Sequence, residues 1–171
     1  MKTEVKITEI TQEDLVNLLS SALYGSSYLS ADYEESVEHD EDDCYEDIMA
    51  KILLHDGKIM VTDGYAEDGE VYGSLSCRVD EDKDEGRMTT TYFVTLKDIL
   101  EGLEKAANGT FNMGEYANHF GSLSLSPEWQ DKNKAFAWRS FNAFAFDDTE
   151  WDLTTADCLM QIIMFNEIVY G

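Results

Sequence analysis

Ten of the sixteen residues at positions 32–47 are carboxylic acids: Asp32, Glu34, Glu35, Glu38, Asp40, Glu41, Asp42, Asp43, Glu46 and Asp47. No lysine or arginine interrupts them. A second run, 80–85, sets Asp80, Glu81, Asp82, Asp84 and Glu85 around Lys83, and a third, 147–152 (DDTEWD), has no basic residue. The chemistry open to such runs is electrostatic: side chains of one sign attract cations and basic proteins and speed their encounter. Carboxylates at i and i+4 of a helix stand about 5–6 Å apart, and duplex DNA carries one phosphate per roughly 3.4 Å of each strand. On an extended chain, same-face residues are about 6.6 Å apart. A rigid acidic surface can therefore stand in for a row of phosphates. The pairs Glu34/Glu38, Glu38/Asp42, Asp42/Glu46 and Asp43/Asp47 have the i,i+4 spacing, provided the segment is helical. Tyr28 and Tyr33, with Tyr24 and Tyr45, supply the aromatic anchors that interfaces favour.

Other chemistry finds less support. Asp80, Asp82 and Asp84 begin like a calcium loop, but Glu85 stands where glycine is needed and Thr91 where a bidentate glutamate is needed. Asp63 with Glu81-Asp82-Lys83 can be drawn as a metal-dependent nuclease site, which requires the two carboxylates on adjacent strands. Nucleic-acid enzymes also need a cationic track, and the twelve basic residues here are scattered. His39, His55 and His119 have no ligand spacing among them, and no phosphate-binding glycine motif, GxSxG elbow or HExxH is present. Cys44, Cys77 and Cys158 read as buried thiols, since acidic surroundings raise a thiol's pKa. The expectation is a chain with no catalytic residue, no metal and no cofactor.

The elements that must position these acids belong to a folded chain. Of 171 residues, 43% are hydrophobic and 12% aromatic, which a disordered acidic tail would not show. One globular domain, 1–171, is expected. The formal net charge of −24 repels nucleic acid and anionic membranes, so a basic protein is the natural partner. Three cysteines imply a reducing compartment. The N-terminal segment lacks a signal-peptide core and the apolar run 159–165 is too short to span a bilayer, so a soluble cytoplasmic protein is expected.

Periodicity and capping place the elements. Residues 2–10 suggest a short strand. Thr11 caps a helix carrying Leu15, Leu18, Leu19, Ala22 and Leu23, stopped by Gly25. Residues 26–43 read as a loop bearing most of the acids. Asp42 or Asp43 caps a second helix with Ile48 and Ile52 inward, ended by His55-Asp56-Gly57. Strands are expected at 58–62, 70–79 and 87–94, joined as a meander, with turns at 67–69 and 80–86. Thr95 caps a helix over 96–107 with Leu96, Ile99, Leu100, Leu103 and Ala107 as its stripe. Ser126-Pro127-Glu128 starts another, running toward Phe144. Thr155 caps a last helix, apolar nearly all round and therefore central, followed by a tail that packs back. The sum is α+β: a small antiparallel sheet of about three strands covered by four or five helices.

Three segments, ALYGSSY (22–28), TLKDILEGLEKA (95–106) and ADCLMQIIMFNEIVYG (156–171), resemble a family of small uncharacterised proteins encoded on phages, plasmids and conjugative elements of gut bacteria. By charge and size alone the chain is similar to the anti-restriction and anti-CRISPR proteins that mimic DNA. The net charge, the three acidic runs and the lack of a catalytic constellation lead to the expectation of a non-enzymatic binding protein of a mobile element, acting in the bacterial host cytoplasm on a basic, nucleic-acid-binding defence nuclease. The interface expected comprises the ten acids of 32–47 with Asp80, Glu81, Asp82, Asp84, Tyr28 and Tyr33. A homodimer would lengthen the charged surface. Two other classes stay open: a divalent-metal hydrolase using Asp63 and Glu81, and an acidic structural protein whose charge serves solubility.

Overall fold

The computed structural model describes residues 9–24, 29–82, 86–108, 110–112 and 153–170. Nearly all of the strand expected at 2–10, the helix expected from Pro127 toward Phe144, the third acidic run, Tyr28 and Asp84 lie outside the described residues.

Helices begin where side chains can satisfy their unpaired N–H groups. The Thr11 hydroxyl accepts from the Asp14 N–H at 3.1 Å and opens α1 (Gln12–Leu19). Leu15, Leu18 and Leu19 are buried, and the helix continues as one π-helical stretch, Ser20–Tyr24. Thr95 and Asp98 cap α3 (Leu96–Asn108) reciprocally: the Thr95 N–H and hydroxyl both donate to Asp98 Oδ2 at 2.9 Å, and the Asp98 N–H returns to Thr95 Oγ1 at 3.3 Å. α2 (Tyr45–Leu54) starts one or two residues later than expected. Its N-cap is Cys44, neither Asp42 nor Asp43, because Asp47 Oδ2 reaches back to the Cys44 N–H at 3.1 Å. In α4 (Leu153–Phe165) every residue from Cys158 to Phe165 is buried, so this helix is central.

The class is α+β, with four helices and four strands among the described residues. The strands are β1 (Leu29–Asp32), β2 (Lys58–Asp63), β3 (Cys77–Asp82) and β4 (Arg87–Thr95), all antiparallel in the order β1-β2-β4-β3. Two expectations are corrected. Residues 29–32 form an edge strand where a loop was expected. The meander is not formed: β2 pairs with β4, placing Ile59 opposite Val94 and Val61 opposite Tyr92, all four buried. That pairing sets these four apolar side chains together in one core. Residues 70–76 cannot extend as a strand, because the chain turns through left-handed Asp68, Gly69 and Gly73. At Gly73 a Cβ would lie 2.7 Å from the Met164 carbonyl, so glycine lets this loop pack onto the end of α4.

Residues alternate across the sheet. Ile59, Val61, Tyr92 and Val94 enter the core with the helices. Lys58 and Phe93 lie on the opposite face, with Lys58 Nζ 4.9 Å from the Phe93 ring centre. The segment after α4 folds back as expected. The buried Gln161 accepts from the N–H groups of Val169 and Tyr170 at 2.8 Å each and donates to the Tyr170 carbonyl at 2.9 Å. Among the described residues no helix is long and apolar enough to cross a membrane.

Candidate functional site

The loop between β1 and α2, residues 33–44, carries most of the first acidic run. Its carboxylates fall into two groups. One group builds the loop. Asp32 Oδ1 accepts from the Tyr33 N–H at 2.8 Å and from the Tyr45 hydroxyl at 3.2 Å. Glu35 Oε2 accepts from the Lys58 N–H at 2.8 Å, tying the loop to β2. Asp43 Oδ2 takes the Asp40 N–H at 3.0 Å and the Lys51 ammonium at 2.5 Å, while the Asp43 N–H closes a turn onto the Asp40 carbonyl at 3.1 Å. Lys51 holds the Asp43 carboxyl below the usual carboxylate range, and Asp43 holds Lys51 up.

The second group points its charge at water. Glu34, Glu38, Asp40, Glu41 and Asp42 are exposed. The carboxylates of Glu38, Asp40, Glu41 and Asp42 make no hydrogen bond or ion pair among the described residues. Glu34 lies 3.9 Å from Arg78 Nη1, and Arg78 Nε donates to Asp80 Oδ2 at 2.9 Å. Arg78 therefore brings Glu34 of the first acidic run and Asp80 of the second to the same side of β3. Glu81 is exposed further along β3, and Asp82 ends that strand opposite Arg87.

Three expectations about this site are corrected. Glu46 is no surface acid: it is 6% exposed, and its Oε1 has no hydrogen-bond partner among the described residues. Its place in the first turn of α2 turns it inward. The helical ladder of Glu34/Glu38, Glu38/Asp42, Asp42/Glu46 and Asp43/Asp47 is not formed, because α2 begins only at Tyr45. Cys44 is exposed, not buried. Its thiol donates to Asp47 Oδ2 at 3.0 Å, and Asp47 with Glu46 pushes the thiol's pKa up, so little thiolate is available for chemistry.

Tyr33 is half-buried, its ring centre 5.0 Å from that of Tyr45. Tyr45, one of the aromatic anchors expected from the sequence, is 47% exposed. Beside it lies a cavity of about 310 Å³ lined by Leu23, Ser30, Ala31, Tyr45 and Met49. A larger cavity, about 420 Å³, lies between α3 and the end of α4. Two of its carboxylates are already engaged, Asp98 in the cap of α3 and Glu101 with Lys97 at 3.8 Å.

Asp63 is fully buried and makes three hydrogen bonds. Oδ1 accepts from the N–H groups of Tyr65 and Ala66 at 2.9 and 3.0 Å, and Oδ2 accepts from the Tyr170 hydroxyl at 2.8 Å. β4 separates β2 from β3, so Asp63 and Glu81 are not on adjacent strands. The structure does not bring the hydrolase pair together. Comparison of the chain with protein-family models, curated proteins and solved structures returns no match.

Proposed function

We propose that this chain is an acidic, non-enzymatic binding protein of a mobile element. It occupies the cationic groove of a nucleic-acid-binding defence nuclease, of a CRISPR or a restriction system, in place of DNA. The observation that carries this reading is the division of labour in residues 33–44. Asp32, Glu35 and Asp43 are spent on holding the loop, and the carboxylates they hold out, Glu38, Asp40, Glu41 and Asp42, are exposed without partners among the described residues.

A carboxylate held in place presents its charge to a basic groove without first being ordered, which lowers the cost of association. Lysines and arginines that normally lie on phosphates lie on these carboxylates instead, with the counterion release and steering that DNA would bring. The net charge of −24 extends the attraction beyond the contact.

The test is cleavage of a plasmid by purified restriction and CRISPR nucleases with the full chain added. Inhibition of at least one enzyme is expected, weakening by roughly tenfold or more between about 50 and 200 mM salt. The combined change Glu38→Lys, Asp40→Lys, Glu41→Lys and Asp42→Lys should abolish it. Asp43 is left intact because Lys51 needs it. Inhibition that survives the four reversals, or failure to inhibit any enzyme of the panel, overturns the reading.

A further inference from the structure

We infer that the cavity beside Tyr45 is a socket for an arginine side chain of the basic partner. This rests on the binding reading above and names the anchor that reading lacks. Among the described residues, walls come from Leu23 of the π-helical stretch, Ser30 and Ala31 of β1, and Tyr45 and Met49 one turn apart on α2. The lining is mostly apolar and the opening is about 310 Å³. At its rim stands an exposed aromatic ring, Tyr45, whose hydroxyl donates to Asp32 Oδ1 at 3.2 Å. The Tyr33 N–H takes the same oxygen at 2.8 Å, and Asp32 Oδ2 has no donor among the described residues.

Charge decides the occupant. Between Lys6 and Lys51 the sequence has no lysine or arginine, and Glu41 and Asp42 lie just before Tyr45. The Asp32 carboxylate, which accepts the Tyr45 hydroxyl, would repel an anionic group and give a neutral apolar one nothing to bind. A lysine ammonium is a compact, strongly hydrated charge that stacks poorly. Arginine meets all three features at once. Its methylene stem packs on Leu23, Ala31 and Met49. Its planar guanidinium lies against the Tyr45 ring and directs a hydrogen-bond donor to Asp32 Oδ2. Arginine is also a residue with which nucleic-acid-binding grooves hold phosphates, so the anchor agrees in kind with a DNA-binding partner.

The experiment titrates the isotope-labelled full chain with acetyl-hexaarginine amide and, separately, acetyl-hexalysine amide, peptides of equal charge. Hexaarginine is expected to bind about tenfold tighter, and it alone should shift the amides of Ala31, Tyr45 and Met49. Ala31→Trp, which fills the socket and leaves every carboxylate, should erase the preference and keep the affinity common to both peptides. Tyr45→Leu provides the same reading where tryptophan is not tolerated in β1. Equal affinities, or shifts confined to residues 33–44, overturn the socket and leave the acidic surface standing. Binding of neither peptide overturns both together.

Discussion

The hydroxyl of Tyr170 donates to Oδ2 of Asp63 at 2.8 Å across 107 positions of the chain. It pins the segment after α4 to the end of β2. Asp63 is fully buried, and Tyr170 is the donor that satisfies its second oxygen. Tyr170→Phe removes that donor and keeps the ring, so it should lower the unfolding free energy by about 1–3 kcal/mol. Urea denaturation followed by circular dichroism measures it. An unchanged midpoint would mean that the bond contributes nothing.

The same cluster sets the alkaline limit of the fold. Burial first, and then the hydrogen bond to Asp63, raises the pKa of Tyr170. The carboxylate of Glu70, which accepts the Tyr72 hydroxyl, raises Tyr72 to about 12, and burial raises Tyr92. An unfolded tyrosine ionises near pH 10 (approximately). Above that value the folded chain holds protons that the unfolded chain has released, so stability falls as pH rises. The contribution of these tyrosines is fully present below about pH 10 and is lost above it, for Tyr72 through about 12. Urea midpoints recorded between about pH 8 and 12 should show a decline that begins near 10 and is shallower in Tyr170→Phe. A variant curve parallel to that of the parent chain would remove Tyr170 from the titrating set.

Much of this architecture was legible in local chemistry. Thr11 and Thr95 mark helix starts in the local sequence, and both are found as caps. The burial of α4 follows from its composition. What failed was long-range. The choice of β4 as the neighbour of β2 depends on Val94 and Tyr92 facing Ile59 and Val61, which no local turn signal encodes. β1 escaped because its four residues, Leu29–Asp32, bury only Leu29. In the acidic run every carboxylate looks alike as text. Whether one binds a backbone N–H or faces water depends on partners such as Lys58, which is 23 positions from Glu35.

Glu46 gives the sharpest contrast between charge and use. A buried carboxylate oxygen without a partner costs stability, and a flexible apolar side chain of similar length avoids that cost. Glu46→Met should therefore hold or raise the melting temperature, despite losing a favourable charge in the first turn of α2. Glu46→Lys should lower it, which disqualifies that position from any test of binding by charge reversal. Calorimetry decides; a loss of more than about 1 kcal/mol in Glu46→Met would show that the carboxylate is satisfied.

α3 meets α4 through a residue with no side chain. A Cβ on Gly102 would stand 2.5 Å from Ile163 Cγ1 and 2.6 Å from Ile163 Cα. The second contact is backbone and cannot swing away. Alanine is normally the better helix former, yet Gly102→Ala should destabilise by about 1–3 kcal/mol, because the helices must part. Urea midpoints measure the change. A stabilised Gly102→Ala would mean that the two helices separate at no cost.

The two groups of carboxylates in the acidic run should respond oppositely to neutralisation. Asp40 and Asp43 sit in one turn, yet only Asp43 accepts Lys51 and the Asp40 N–H through its side chain. Glu38→Gln, Glu41→Gln and Asp42→Asn remove repulsion from a chain with a net charge of −24, so they should leave stability unchanged or slightly raised. Glu35→Gln, Asp43→Asn and Lys51→Met each weaken an internal bond. They should speed hydrogen exchange locally, at the Lys58 amide for Glu35→Gln and at the Asp40 amide for the other two. The Asp43 contribution is present above the carboxyl's unfolded pKa and is lost as pH falls through its lowered folded value. Acid should therefore mimic Asp43→Asn at the Asp40 amide, and should do so at higher pH in Lys51→Met, where Lys51 no longer lowers the Asp43 carboxyl. Equal exchange in both sets of variants would mean that the loop is not held by the carboxylates that touch it.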